Sequence, residues 1–131
     1  MKKIILLAWI PIVSLTWSSC SKDDGVEDTT PPTVTLFEPS QSTYNLGDTV
    51  WMDIEVKDDI ELHEVKWWLI QEPADTVYWN KRHTHNIEVR IRNTYYVIPE
   101  EESAKGAYQF VVLAEDDARN DTVERHDFTV E

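Results

Sequence analysis

Apolar and polar residues alternate along several short stretches of this chain. Val50, Met52, Ile54 and Val56 alternate with Trp51, Asp53 and Glu55, the pattern of a strand with one buried and one acidic face. Val34 and Leu36 alternate with Thr33 and Thr35, and Ile87, Val89 and Ile91 with Glu88, Arg90 and Arg92. Tyr108, Phe110, Val112 and Ala114 mark one face of a further strand, and Val123 to Val130 close the chain. Leu62 to Ile70 is rich in aromatic and β-branched residues and is followed by Pro73, after which Thr76 to Trp79 make a short run. Tyr95 to Ile98 either continue the strand before them or begin another after Asn93-Thr94. Pro39 to Asp48 reads as turn, and Glu100 to Lys105 suits a single helical turn. Short strands separated by turn residues predict an all-β fold, an antiparallel β-sandwich of about seven strands starting near residues 33, 49, 62, 76, 85, 107 and 122. With only three glycines, Asn and Asp must serve most of the turns.

Upstream the pattern is different. Lys2 and Lys3 precede an apolar stretch from Ile4 to Leu15 that is too short for a permanent membrane span, and small residues Ser18 and Ser19 precede Cys20. Residues 1–19 thus read as an export signal. Cys20 is the only cysteine, so it cannot form an internal disulfide. Ser18-Ser19-Cys20 resembles a lipobox, which implies acylation of Cys20 and a membrane held through the lipid anchor alone. Lys22, Asp23 and Asp24 resemble the signal that lipoproteins of Bacteroidota use for display on the outer face of the outer membrane; retention on the periplasmic face is the alternative. Residues 20–32 form the lipidated cysteine and a polar, flexible tether, and residues 33–131 form the single domain.

Charge narrows the partners. The chain carries 12 Lys and Arg against 25 Asp and Glu, a formal charge of −13. Loss of residues 1–19 removes two lysines and no acid, so the mature chain stands at −15. Such a surface disfavours nucleic acid, which rewards a basic face, and attracts cations.

Val56-Lys57-Asp58-Asp59-Ile60-Glu61-Leu62 and Ala114-Glu115-Asp116-Asp117-Ala118-Arg119-Asn120-Asp121 resemble segments of bacterial immunoglobulin-like and cadherin-like domains. There the second segment reads Asp-x-x-Gly-Asn, and here Arg119 stands in the glycine position. With the leader and the His83-Thr84-His85 triplet, the chain resembles an uncharacterised Bacteroidota lipoprotein family, domain of unknown function 4625. The resemblance implies an immunoglobulin-like sandwich and brings no activity with it.

In a seven-strand immunoglobulin-like count, alternate loops fall at one end. Asp58 and Asp59, His83 and His85, and Asp116 and Asp117 then converge, provided residues 92–95 do not turn a hairpin. Two imidazoles with carboxylates suit zinc or another divalent transition metal, and the aspartates alone suit calcium. Exposed loop side chains are the plainer alternative. Trp67 and Trp68 are adjacent in a strand and face opposite sides. Trp68 with Trp51 and Trp79 makes a candidate aromatic platform for a glycan or an envelope protein partner, or packs across strands instead. His63 and His126 read as surface residues.

The chain has no Gly-x-Ser-x-Gly, no His-Glu-x-x-His and no glycine-rich phosphate loop. The expectation is therefore a non-catalytic binding or accessory module on a lipid anchor, with a divalent metal-binding lipoprotein as the alternative. Replacing Cys20 with Ala is expected to leave the signal uncleaved or to release the protein from membranes. Persistence of a mature-size, membrane-bound Cys20→Ala band on fractionation contradicts acylation at this residue.

Overall fold

The computed structural model describes residues 27–73 and 75–131; residues 1–19, Cys20, Lys22, Asp23 and Asp24 lie outside them. The alternating stretches form strands β1 (Thr33–Glu38), β2 (Thr43–Tyr44), β3 (Thr49–Lys57), β4 (Leu62–Gln71), β5 (Asp75–His83), β6 (Glu88–Val97), β7 (Gly106–Asp116) and β8 (Asp121–Val130). A single 3-10 turn, Glu102–Ala104, sits where one helical turn is expected. Three strands form one sheet in the order β1-β3-β6, and five form the other in the order β2-β8-β7-β4-β5. All pairings are antiparallel except β2 with β8. The fold is an all-β, immunoglobulin-like sandwich.

The even positions of β3 all face inward: Val50, Met52, Ile54 and Val56 are buried. Val65, Trp67 and Leu69 of β4 meet them from the other sheet, with Phe110, Val112 and Ala114 of β7. Tyr108 stacks on Phe128 at 5.3 Å between ring centroids, and its buried hydroxyl donates to the Ala104 carbonyl at 2.8 Å.

Three local outcomes depart from the alternation pattern. The turn-rich stretch before β3 contains β2, because Tyr44 buries its ring edge-on against Phe128 at 4.9 Å and draws the backbone beside β8. β5 extends through Asn80, Lys81 and Arg82 to His83, since an edge strand with exposed faces tolerates polar residues. The following strand begins at Glu88 and not at His85, and it stays whole through Tyr95. Its pairing with β3 shifts between Met52 and Ile54 while Asn93 takes φ 59°. The extra residue is thus absorbed as a bulge, in the left-handed conformation that Asn tolerates better than most.

Aspartates shape the turns, as the glycine shortage requires. Asp58 Oδ1 accepts the backbone N–H groups of Ile60 and Glu61, and Asp48 Oδ2 accepts that of Asn45. Arg119, in the position that resembled a glycine, has φ 74°, a conformation glycine adopts without steric cost.

Residues 28–32 are not free tether. Pro32 is buried, its carbonyl accepts the Thr122 hydroxyl, and the Asp28 carbonyl accepts Asn120 Nδ2 at 3.1 Å. A proline ring and two unpaired carbonyls can bind a neighbouring turn even where the sequence is polar.

Phe110 is fully buried while Ile87 is 60% exposed. Phe110→Ala is expected to destabilise the fold by about 3–5 kcal/mol, and Ile87→Ala by no more than about 0.5 kcal/mol. Urea denaturation midpoints check both; similar losses at the two sites argue against this core.

Candidate functional site

Because β6 remains one strand, the β3–β4, β5–β6 and β7–β8 connections share one end of the sandwich. Backbone hydrogen bonds lace them together: Asp58 N–H donates to the Ile87 carbonyl at 2.9 Å, Leu62 to Asn86 at 3.1 Å and Asp117 to Glu61 at 3.2 Å. Side chains from three loops are thereby held close.

They fall into two groups. In the first, ligand atoms of Glu61, His85 and Asp117 lie within 4.8 Å of one another. His85 Nδ1 is 2.9 Å from Glu61 Oε1 and 3.8 Å from Asp117 Oδ2. His63 Nδ1 is 3.1 Å from the other Asp117 oxygen, where it can orient that carboxylate or add a ligand. One imidazole and two carboxylates at an open face suit zinc or a similar divalent ion.

The second group contains oxygen only: carboxylate oxygens of Asp28, Asp58 and Asp116 lie within 4.8 Å of one another. Asp116 is fully buried, and its carboxylate accepts the Asn120 backbone N–H at 2.8 Å and side-chain amide at 2.7 Å. Asp58 Oδ2 is buried with no hydrogen-bond partner among the described residues. Leaving a buried carboxylate oxygen unpaired is costly, and a cation bound by all three acids would satisfy it. Hard oxygen donors in loose geometry suit calcium.

Several expected placements are corrected. His83 does not join His85: the chain leaves β5 between them, and His83 Nε2 lies 3.0 Å from Glu64 Oε2. Glu64 also faces Lys66 and Lys81, so His83 belongs to an ion cluster whose lysines repel a metal. Asp59 enters neither group, because Asp58 turns inward to cap its turn and its neighbour points to solvent. Asp116 and Asp117 divide between the groups, since adjacent residues at the end of a strand face opposite ways. His63 is no isolated surface residue: pairing between β4 and β7 shifts between Leu62 and Glu64, and beside this bulge His63 lies close to both His83, at the end of β5, and His85, in the loop after it. Its ring centroid is 5.8 Å from that of His83 and 6.4 Å from that of His85. His126 instead contacts the Gln41 carbonyl at 2.9 Å.

Glu61, His63 and Asp28 were missed by the sequence reading. Glu61 was legible as the third acid of the Asp58-Asp59-Ile60-Glu61 turn. Asp28 was not, because nothing in a polar tether signals that it folds back.

The aromatic platform divides as well. Trp67 is in the core, and Trp68 pairs across the strands with Trp79 on the outer face of the five-stranded sheet. Trp51 lies on the opposite sheet beside Tyr95, with centroids 5.2 Å apart. Near it Arg90 spans Asp53 and Glu55, and its guanidinium lies 3.8 Å from the Phe37 ring centroid.

No family model and no curated protein matches the chain. Among solved structures it resembles Spo0M, a sporulation control protein from Bacillus subtilis, at 11% identity and TM-score 0.52, covering 78% of this chain and 50% of that one. It also aligns with a superoxide reductase (neelaredoxin) from Ignicoccus hospitalis at 7% identity and TM-score 0.46, covering 78% and 81% of the two chains. Murine CRIg aligns at 12% identity and TM-score 0.39, over 76% of this chain and 97% of that one. The chain spans half the length of Spo0M, and at these identities the likeness concerns the fold alone.

The Glu64 carboxyl is held below its ordinary 4.5 by the hydrogen bond from Lys66, against the opposing effect of burial, with the charges of Lys66, His83 and Lys81 adding to it. The folded state therefore releases this proton more readily than the unfolded chain. The resulting stability is present above about pH 4.5 and is lost as pH falls through the depressed value. Glu64→Gln is expected to be less stable than the parent chain at pH 7, with the gap closing toward pH 3. Urea titrations at the two pH values measure this; a gap of constant size means that the Glu64 charge contributes nothing.

Proposed function

We propose that this chain is a lipid-anchored, extracytoplasmic, non-catalytic binding module whose loop end is organised by divalent cations. The observation that carries the cation reading is the meeting of acids and an imidazole from three separate loops at ligand distance. Two adjacent centres follow from their donor sets. Glu61, His85 and Asp117, with His63 behind Asp117, form a zinc-type centre. Asp28, Asp58 and Asp116 form a calcium-type centre that also clips residues 28–32 to the domain.

The lipobox-like Ser18-Ser19-Cys20 supports anchoring, and Lys22-Asp23-Asp24 supports display on the outer face of the outer membrane. The sequence carries no Gly-x-Ser-x-Gly, no His-Glu-x-x-His and no glycine-rich phosphate loop, which supports a role in binding over catalysis. Binding of the ions completes the loop end rather than driving a reaction there.

A ligand that binds only the folded state stabilises it by RT ln(1 + [L]/Kd), about 2.7 kcal/mol at a hundredfold excess over Kd. In a domain of this size that corresponds to a rise in Tm of roughly 10–20 °C. Zinc and calcium are each expected to raise Tm. His85→Ala should abolish the zinc response and spare that of calcium, and Asp58→Asn should do the reverse. His83→Ala should leave both responses in place. A Tm indifferent to both ions rules out the cation reading, and loss of both responses in either single variant rules out two separate centres.

A further inference from the structure

Away from the loop end, the two sheets part between their edge strands β5 and β6, which are not neighbours in either sheet. The groove between them has a volume of about 440 Å³ and is lined by Lys81, Arg82, Arg90, Arg92, Asn93 and Trp67, among others. Four of the twelve Lys and Arg residues of a chain carrying 25 acids thus border one groove.

Their charges are unequally committed. Arg90 is engaged by Asp53, with Nη2 to Oδ2 at 2.7 Å, and by Glu55 at 3.2 Å. Lys81 lies 3.6 Å from Glu64. Arg92 reaches Asp53 only at 3.9 Å with 65% of its side chain exposed. Arg82 is exposed and makes no ion pair among the described residues. Arg82 on β5 is thus uncommitted, and Arg92 on β6 is only loosely held. Trp67 is only 4% exposed, and its buried indole N–H has no acceptor among the described residues. A buried donor without a partner, in a side chain that lines a cationic groove, lacks an oxygen acceptor there.

We propose that this groove binds an acidic sugar, with its carboxylate held by Arg82 and Arg92 and a ring or hydroxyl oxygen accepting from the Trp67 indole. Guanidinium forks match carboxylate geometry and strengthen the bond through charge. The volume exceeds that of a bare oxyanion. The acidic remainder of the surface repels a long nucleic acid. The reading deepens the binding-module proposal, and the groove shares no residue with either cation centre.

The test is titration of the full chain in detergent solution with a trigalacturonate and with its carboxyl-reduced, neutral counterpart, followed by calorimetry and by the indole N–H resonances. The acidic trisaccharide is expected to bind at least roughly tenfold more tightly than the neutral one, since charge-assisted bonds are about twice as strong as neutral ones. It should shift the Trp67 indole resonance, identified by its absence in Trp67→Phe. Arg82→Ala/Arg92→Ala, at exposed positions that leave the core intact, should weaken binding by a similar factor. His85→Ala and Asp58→Asn should bind the trisaccharide as the parent chain does, so that failure of the cation reading leaves this result standing. Equal affinity for the two trisaccharides overturns the proposal, as does indifference to the arginine replacements. Inorganic phosphate shifting the Trp67 resonance as strongly as the sugar overturns the sugar assignment.

Discussion

Ten residues, Glu88 to Val97, remain in a single strand, and the placement of every candidate ligand hangs on that continuity. Val89 and Ile91 before the bulge, and Tyr96 and Ile98 after it, must all reach the core that β3 also lines. Simple alternation cannot satisfy both sets, because they are out of phase with one another. Setting Asn93 to a positive φ restores the phase at the expense of one ladder pairing. A hairpin at the same place would have reversed the chain direction and sent the β7–β8 turn to the far end. Asp116 and Asp117 would then have been separated from Glu61 and His85.

Much of the fold was legible because its core is two-sided and its strands half-buried. Val50, Met52, Ile54 and Val56 state their facing unambiguously, and so do Phe110 and Val112. What escaped the reading was decided by single contacts. Tyr44 alone recruits β2 by packing on Phe128. The polar end of β5 is extended by ladder hydrogen bonds to β4, which leave no mark in side-chain polarity. The meeting of loops was legible through parity, but the division of the ligands was not. Adjacent acids such as Asp58 and Asp59 look equivalent in sequence. They differ because one caps its own turn, and the pair His83 and His85 separates because one remains in the ladder.

Acids dominate the loop end, where two clusters lie side by side and share no ligand. The uncommitted arginines gather at the open edge between β5 and β6. Glu64 stands at the border, binding Lys66, Lys81 and His83 together. Its network commits Lys66 of β4 and Lys81 of β5 to one carboxylate beside the acidic clusters.

The folding-back of Asp28 to Pro32 onto the β7–β8 turn sets an orientation. The chain leaves the domain at the loop end, and only eight peptide steps separate Asp28 from Cys20. Fully extended, these cover at most about 28 Å. Were Cys20 acylated as proposed, the module would hang on a leash barely as long as the bilayer's hydrocarbon core is thick. The carboxylate clusters would then lie at the end nearest the lipid headgroups. The opposite end of the sandwich, with β2 and the Asn45–Asp48 turn, would look outward.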